Sequence, residues 1–317
     1  MTVFVVLLLI LVVQLLAGYR ERLSKQTFPP SGQIIDVDGT PIHLHVTGSG
    51  PDVVLIHGAS GSLRDFTFDL AGKLSTEFRV IAVDRPGHGW SGRPAGYGGV
   101  FNTAAESPQL QAQLLARAVR AVGAEKPIVV GHSYGGAVAL AWALDAPEQT
   151  DALVLLGAAS MPWPGTLDQF YRVNATTLGG AWLIPLLTAF VPRSYIEHSV
   201  SGIFAPQSAP EGYLAHFGPL RSLSRPAMRA NAQQVNSLRP HIVEMSKRYP
   251  ELTLPVEIVH GTEDMTVPLR IHSEPASQIL PNAVLTRLDG IGHMPQHAAP
   301  AETVEAIRRA ATRADLR

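Results

Sequence analysis

Ile128-Val129-Val130-Gly131-His132-Ser133-Tyr134-Gly135-Gly136, running on into Ala137-Val138-Ala139-Leu140, reads as a short apolar strand, a sharp turn and an Ala-rich helix. The turn carries the spacing G-x-S-x-G. Such a turn lifts one Ser side chain above the edge of a sheet, and small residues at 131 and 135 let strand and helix approach closely around it. The start of the following helix favours negative charge developing nearby. The pattern alone is weak, because Gly and Ser are common in this chain. Its flanks, strand before and helix after, give it weight.

Working outward, other apolar runs share the unbroken style of strands buried on both faces. They lie at 53–56, 80–83, 153–156, 256–259 and 284–288. An alternating pair at 33–37 and 42–46 flanks Asp38-Gly39, a hairpin signal. Helical periodicity separates the strands. Leu110, Leu114, Leu115, Ala118 and Val122 mark a helix over 109–122, and 137–144 and 301–311 supply two more. This alternation predicts an α/β protein with a mostly parallel sheet and helices on both faces. Between 160 and 250 no strand is evident, while aromatics recur (Trp163, Phe170, Tyr171, Trp182, Phe190, Tyr195, Phe204, Tyr213 and Phe217). A 90-residue structureless loop is implausible in a compact domain. The expectation is a helical cap at 160–250 inserted between core segments 33–159 and 251–317.

A reactive Ser needs a base. Of twelve His, His293 stands in the Gly-flanked segment Asp289-Gly290-Ile291-Gly292-His293, beyond the last expected strand and before the last helix. The base needs a carboxylate that fixes its tautomer and stabilises the imidazolium. Asp264, in His260-Gly261-Thr262-Glu263-Asp264, follows the strand at 256–259, with Glu263 as its nearest competitor. The loop after 153–156, Gly157-Ala158-Ala159-Ser160, offers no carboxylate.

The order Ser133, Asp264, His293 is that of the α/β-hydrolase superfamily, and the chain resembles that superfamily over about residues 33–315. His57-Gly58-Ala59-Ser60 looks like its His-Gly oxyanion loop, and Asp84-Arg85-Pro86-Gly87-His88-Gly89-Trp90-Ser91 looks like its D-x-P-G-x-G-x-S turn. The resemblance implies an oxyanion hole made by the backbone N–H groups of Ala59 and Tyr134, with Ser60 in place of Ala59 if the loop is shifted by one residue. His57, His88 and His132 are expected to be structural or pocket-lining, and Asp84 and Arg85 to tie loops together.

Ser at 133 argues against the superfamily's haloalkane dehalogenases and common epoxide hydrolases, which use an Asp nucleophile. A Ser nucleophile with an oxyanion hole attacks carbonyl carbon. The expected activity is that of a serine hydrolase of the esterase or lipase-like branch, cleaving a lipophilic carboxylic ester through an acyl-enzyme. The uncharged stretch Leu178 to Val191, LGGAWLIPLLTAFV, reads either as a cap helix packed on the core or as an apolar wall that dips into lipid. Arg193, Arg221, Arg225 and Arg229 keep open C–C bond hydrolysis of a ring-cleavage product. A non-catalytic binding protein on the same fold is the third reading. No metal-ligand spacing and no G-x-G-x-x-G after a strand are visible, so no cofactor is expected.

Composition sets the remaining bounds. Apolar residues are 46% of 317 and charged residues 16%, with 25 basic and 26 acidic side chains giving a net charge of −1. Disorder and nucleic-acid binding are excluded on that balance. With no Cys there is no disulfide, thiolate nucleophile or Cys-bound metal. Residues 1–19, MTVFVVLLLILVVQLLAGY, hold 16 apolar side chains and no charge. As a helix they span about 28 Å, close to a hydrocarbon core of about 30 Å. No basic residue precedes the run, and Leu15 and Leu16 spoil a small-x-small cleavage site, so an uncleaved anchor is favoured over a signal peptide or a buried helix. Arg20, Arg22 and Lys25 follow it and lean the body toward the cytoplasmic side. Residues 20–32, ending in Pro29-Pro30-Ser31-Gly32, are expected to be a linker.

Overall fold

The computed structural model describes residues 1–316. Eight strands form one sheet: β1 Gln33–Val37, β2 Thr40–Thr47, β3 Asp52–Ile56, β4 Arg79–Val83, β5 Ile128–His132, β6 Ala152–Leu156, β7 Val256–Gly261 and β8 Ala283–Leu288. Their spatial order is β1-β2-β4-β3-β5-β6-β7-β8. The hairpin β1–β2 turns at Asp38-Gly39, both at positive φ, and β2 meets β4 antiparallel. Every later pairing is parallel. All eight strands fall where the six apolar runs and the alternating pair placed them. β3, β5, β6 and β7 are buried nearly throughout. Each fully buried Val, Leu or Ile there contributes about 1.5–3 kcal/mol.

Helices cover both faces. After β3 come the short α2 Arg64–Thr67 and α3 Leu70–Leu74, then α4 Pro108–Ala121 and α5 Tyr134–Asp145. α4 starts as a helix should: the Ser107 hydroxyl accepts from Leu110 N–H at 3.1 Å, and Pro108 holds the first helical position. α11 Ser273–Ile279, α12 Pro295–Ala298 and α13 Pro300–Arg313 complete the C-terminal part. One apolar cluster joins α4 and α5 to one sheet face, and a second joins α3 and α13 to the other.

Between β6 and β7 lie only helices: α6 Gln169–Asn174, α7 Ile184–Phe190, α8 Arg193–Phe204, α9 Tyr213–Phe217 and α10 Arg225–Ser246. The stretch 178–191 is a π-helical turn at Gly179–Leu183 that runs straight into α7, and Pro185, which has no N–H to donate back into that turn, sits just after the irregularity.

The N-terminal helix α1 spans Thr2–Thr27 and is long and apolar enough to cross a membrane. It runs through residues 20–27, so more than half of the expected 20–32 linker is helix. Arg20, Glu21, Arg22 and Lys25 are sound helix formers, and Glu21 is pinned by Arg225 of α10 at 2.8 Å. The stop comes at Phe28, at φ −124° and ψ 71°, because the residue before a proline is pushed out of the helical region. From Ile10 onward one side of α1 faces the body, touching α7 and Arg225 of α10, with Ala17 and Ser24 buried.

Candidate active site

Ser133 sits between β5 and α5 at φ 52° and ψ −119°, a conformation costly for a residue with a Cβ. The surroundings dictate it. A Cβ on Gly131 would strike the Gly135 backbone, and one on Gly135 would strike the Ile56 carbonyl. The bend therefore requires glycine on both sides of the Ser and leaves the hydroxyl at the cavity wall. Ser133 Oγ makes no hydrogen bond among the described residues, including none to His293, and both side chains line one cavity.

His293 lies in the loop between β8 and α12, 5% exposed. Its Nδ1 is 2.7 Å from Asp264 Oδ2. Asp264 lies in the loop after β7, where its Oδ1 accepts the backbone N–H groups of Thr266 (2.9 Å) and Val267 (2.8 Å). Glu263, its competitor from sequence, is exposed and turned away. Burial alone would raise the Asp264 carboxyl pKa. Hydrogen bonds from His260 and His293 outweigh it and hold the group well below the usual carboxylate range.

His260 is the partner that sequence reasoning missed. Its Nε2 stands 3.1 Å from Asp264 Oδ2 and 2.8 Å from the Val267 carbonyl, two acceptors, so the proton is assigned to Nε2. Its Nδ1 then accepts from the Ser273 hydroxyl at 2.6 Å. The spacing His260 to Asp264 stands in the sequence, but spacing alone does not say that the two side chains meet.

The Ala59 and Tyr134 backbone N–H groups have no acceptor among the described residues. Ser60 N–H is not available in the same way, because it donates to Asn231 Oδ1 at 2.7 Å. The alternative oxyanion donor is thus occupied. Asn231 Nδ2 donates back to Ser60 Oγ at 2.9 Å, and this two-way pairing holds Ser60 at φ 55°. Arg85 steadies the neighbouring peptides. Its Nη2 donates to Gly58 O at 3.0 Å and its Nε to His57 O at 3.0 Å. A trans peptide points its C=O and N–H in opposite directions, so anchoring Gly58 C=O turns the Ala59 N–H away from Arg85. Gln111 and Gln234 hold Arg85 Nη1 at 2.9 Å each, and the guanidinium lies 4.3 Å from the Tyr134 ring centroid. Burial pushes the Arg85 pKa down to about 10, which leaves it charged at neutral pH. Burial and Arg85 push His57 well down, so it is neutral, and it serves structure: its Nε2 accepts Arg85 N–H at 3.0 Å.

Asp84 ties loops as expected, accepting Leu63 N–H, Trp90 N–H and His43 Nδ1 at 2.7–2.8 Å. His88 packs edge-on against His57, and His132 reaches the His293 carbonyl at 2.9 Å. His132 also lines the cavity.

The cavity measures about 490 Å³. Its walls are largely apolar, with Leu187 and Val191 around α7, Ile196 and Val200 of α8, and Met228 of α10. Asp65 is a buried carboxylate in the lining, satisfied by Tyr213 Oη (2.7 Å), His297 Nε2 (2.9 Å) and Gln296 Nε2 (3.0 Å). None of Arg193, Arg221, Arg225 and Arg229 lines it. Arg193 pairs with Glu197, Arg221 lies over Trp90, Arg225 holds Glu21, and Arg229 donates to the Asn174 and Asn102 carbonyls.

Residues 51–300 match the family model described as alpha/beta hydrolase fold. A 2-hydroxymuconate semialdehyde hydrolase of Pseudomonas putida is 28% identical over 292 residues, covering 86% of this chain and 91% of that protein. The esterase RhEst1 of a Rhodococcus species superposes with a TM-score of 0.65 at 25% identity, over 88% of this chain and 97% of its own. A bacterial membrane phospholipase A superposes with a TM-score of 0.69 over 99% of both chains, at 21% identity, a likeness of fold alone.

Proposed function

This chain belongs to the alpha/beta hydrolase fold family, and we propose that within it the chain is a serine esterase acting on a lipophilic carboxylic ester. The observation that carries this reading is a Ser at a strained strand-to-helix bend, sharing an apolar cavity with a His that is itself bonded to a buried Asp. The cap is residues 160–250, and it supplies most of the cavity's apolar wall.

Ser133 is the nucleophile, His293 the general base and acid, and Asp264 the group that orients the imidazole. As Ser133 Oγ attacks the acyl carbon, His293 Nε2 takes the hydroxyl proton. The carbonyl oxygen becomes an oxyanion between the Ala59 and Tyr134 N–H groups, each such donor being worth about 3 kcal/mol. Collapse breaks the ester C–O bond, and His293 gives its proton to the leaving alcohol. Water then attacks the acyl-enzyme, His293 takes its proton, and the carboxylic acid leaves with Ser133 reprotonated. The ionised Asp264 accompanies the imidazolium through both steps.

An apolar cavity lined by no Arg or Lys suits an acyl chain better than the charged dienoate of a ring-cleavage product. α1 anchors the body to a membrane, and Arg20, Arg22 and Lys25 favour the cytoplasmic face. A series of p-nitrophenyl esters tests the substrate class. Rates should rise from acetate toward octanoate. A maximum at acetate with no turnover beyond butyrate would contradict it.

A further inference from the structure

A second apolar surface lies outside the cavity. Leu178, Trp182, Leu186 and Phe190 recur every four residues and are 72%, 53%, 44% and 56% exposed. They form one outward stripe along the π-helical turn and α7. Residues 173–192 contain no charged side chain. Monomeric soluble proteins seldom leave such a continuous apolar stripe bare.

What covers it follows from the placement of α1. Only residues 1–9 of α1 stand wholly clear of the body, and Ile10, Val13, Gln14 and Ala17 face it. Nine residues of helix reach about 14 Å, against a hydrocarbon core of about 30 Å. The apolar stretch extends to Tyr19, so immersing it carries its last ten residues, about 15 Å, into lipid alongside whatever they pack against. Those neighbours are α7 and, at Gln14 and Gly18, the long side chain of Arg225 from α10, whose guanidinium is neutralised by Glu21. The first charge that follows each apolar segment along the chain sits at one level, since Arg20 Nη1 donates to the Val191 carbonyl at 3.1 Å, just before Arg193, and only the tip of Arg225, paired with Glu21, reaches further in. Arg20 and Arg193 therefore mark a headgroup plane, with Trp182, a residue type favoured at membrane interfaces, on the apolar side of it.

We infer that the Leu178–Trp182–Leu186–Phe190 stripe is a bilayer-seating surface, inserted into the same leaflet as the second half of α1. The inference rests on α1 being a membrane anchor. From the plane at Arg20 and Arg193 the stripe reaches inward by up to about 15 Å, alongside residues 10–19 of α1. The inner side of the same segment carries Leu187 and Val191, which line the cavity. Seating the stripe thus brings the cavity wall to the lipid surface, and the substrate class becomes an ester already dissolved in the leaflet.

The absence of native Cys permits single nitroxide labels on the full-length chain. Leu186→Cys and Phe190→Cys report on the stripe, Leu7→Cys on the free part of α1, and Glu305→Cys on exposed α13 as an aqueous control. In nanodiscs of phosphatidylcholine and phosphatidylglycerol, labels at 186 and 190 should show an oxygen-to-nickel collision ratio several-fold above the control, as for groups immersed in lipid. Nickel access at 186 and 190 equal to the control, with Leu7→Cys immersed, overturns the inference and leaves the anchor standing. Leu7→Cys in water as well removes both. Labels at 186 and 190 shielded from both reagents and broadened by a neighbouring spin mean that a second copy covers the stripe, which also overturns it.

Discussion

Asn231 and Ser60, 171 residues apart, pair in both directions: Ser60 N–H donates to Asn231 Oδ1 at 2.7 Å and Asn231 Nδ2 to Ser60 Oγ at 2.9 Å. Through this pair α10 fixes the residue next to Ala59. Ser60 sits at φ 55°, where a non-glycine residue stays only if its surroundings hold it. Asn231→Leu should therefore release the loop and misplace the Ala59 N–H. The expected cost is about ten- to hundredfold in kcat with KM little changed. Asn231→Asp, which keeps an acceptor for Ser60 N–H, should recover most of the rate. Steady-state kinetics on a p-nitrophenyl ester checks both. A fall in kcat/KM through KM alone would assign Asn231 to substrate binding instead.

Asp264 accepts two backbone amides on Oδ1 and two histidines on Oδ2. Asp264→Asn keeps the amide contacts but presents an N–H to His260 and His293, one of which must then turn or change tautomer. Loss of kcat of about ten-thousandfold is expected, with a folded protein by circular dichroism. Full activity in this variant would move the orienting carboxylate elsewhere.

Buried histidines give a pH signature in stability. Burial drives His132 and His272 down to about 4, and drives His57 and His88 well below the ordinary imidazole value. In the unfolded chain these groups take up protons near pH 6.5. Below that pH the unfolded state binds more protons than the folded one, so stability falls with acidification from about 6.5 toward 4. The depressed carboxyl groups of Asp65 and Asp264 act in the same direction but only as the pH reaches the unfolded carboxylate range near 4. Between pH 6.5 and 5 the slope should thus come from the histidines. Each contributes up to about 1.4 kcal/mol per pH unit. Chemical denaturation across that range checks this, and His272→Gln should flatten the slope. A flat profile from pH 6.5 to 5 would contradict the neutral buried state.

The parts of the fold and site that could be read from sequence are those whose signal is local. Each strand announced itself as an apolar run between turn residues. The bend at Ser133, the loop of His293 and the loop of Asp264 each lie within a few residues of a strand end, where side-chain chemistry and turn geometry sit together in the sequence. Asn231 and Gln234 gave no such sign. On a 22-residue helix a polar side chain ordinarily faces water, and only the tertiary approach of α10 to Ser60 and to Arg85 gives these two their partners. The arginines of the cap misled for the same reason, since Arg221, Arg225 and Arg229 brace backbone and α1 rather than the cavity. The end of α1 was missed because charged residues after an apolar run read as a boundary, although they continue a helix as readily as alanine-like residues do, until Pro29 stops it.

The central claim, that Ser133 is the nucleophile of an acyl-transfer site, is tested most directly by covalent labelling. A fluorophosphonate probe applied to the full-length protein in detergent should add one phosphonyl group, located on Ser133 by peptide mass spectrometry. Ser133→Ala should abolish the adduct while keeping the circular dichroism of the wild type. An adduct of undiminished yield in Ser133→Ala would contradict the assignment.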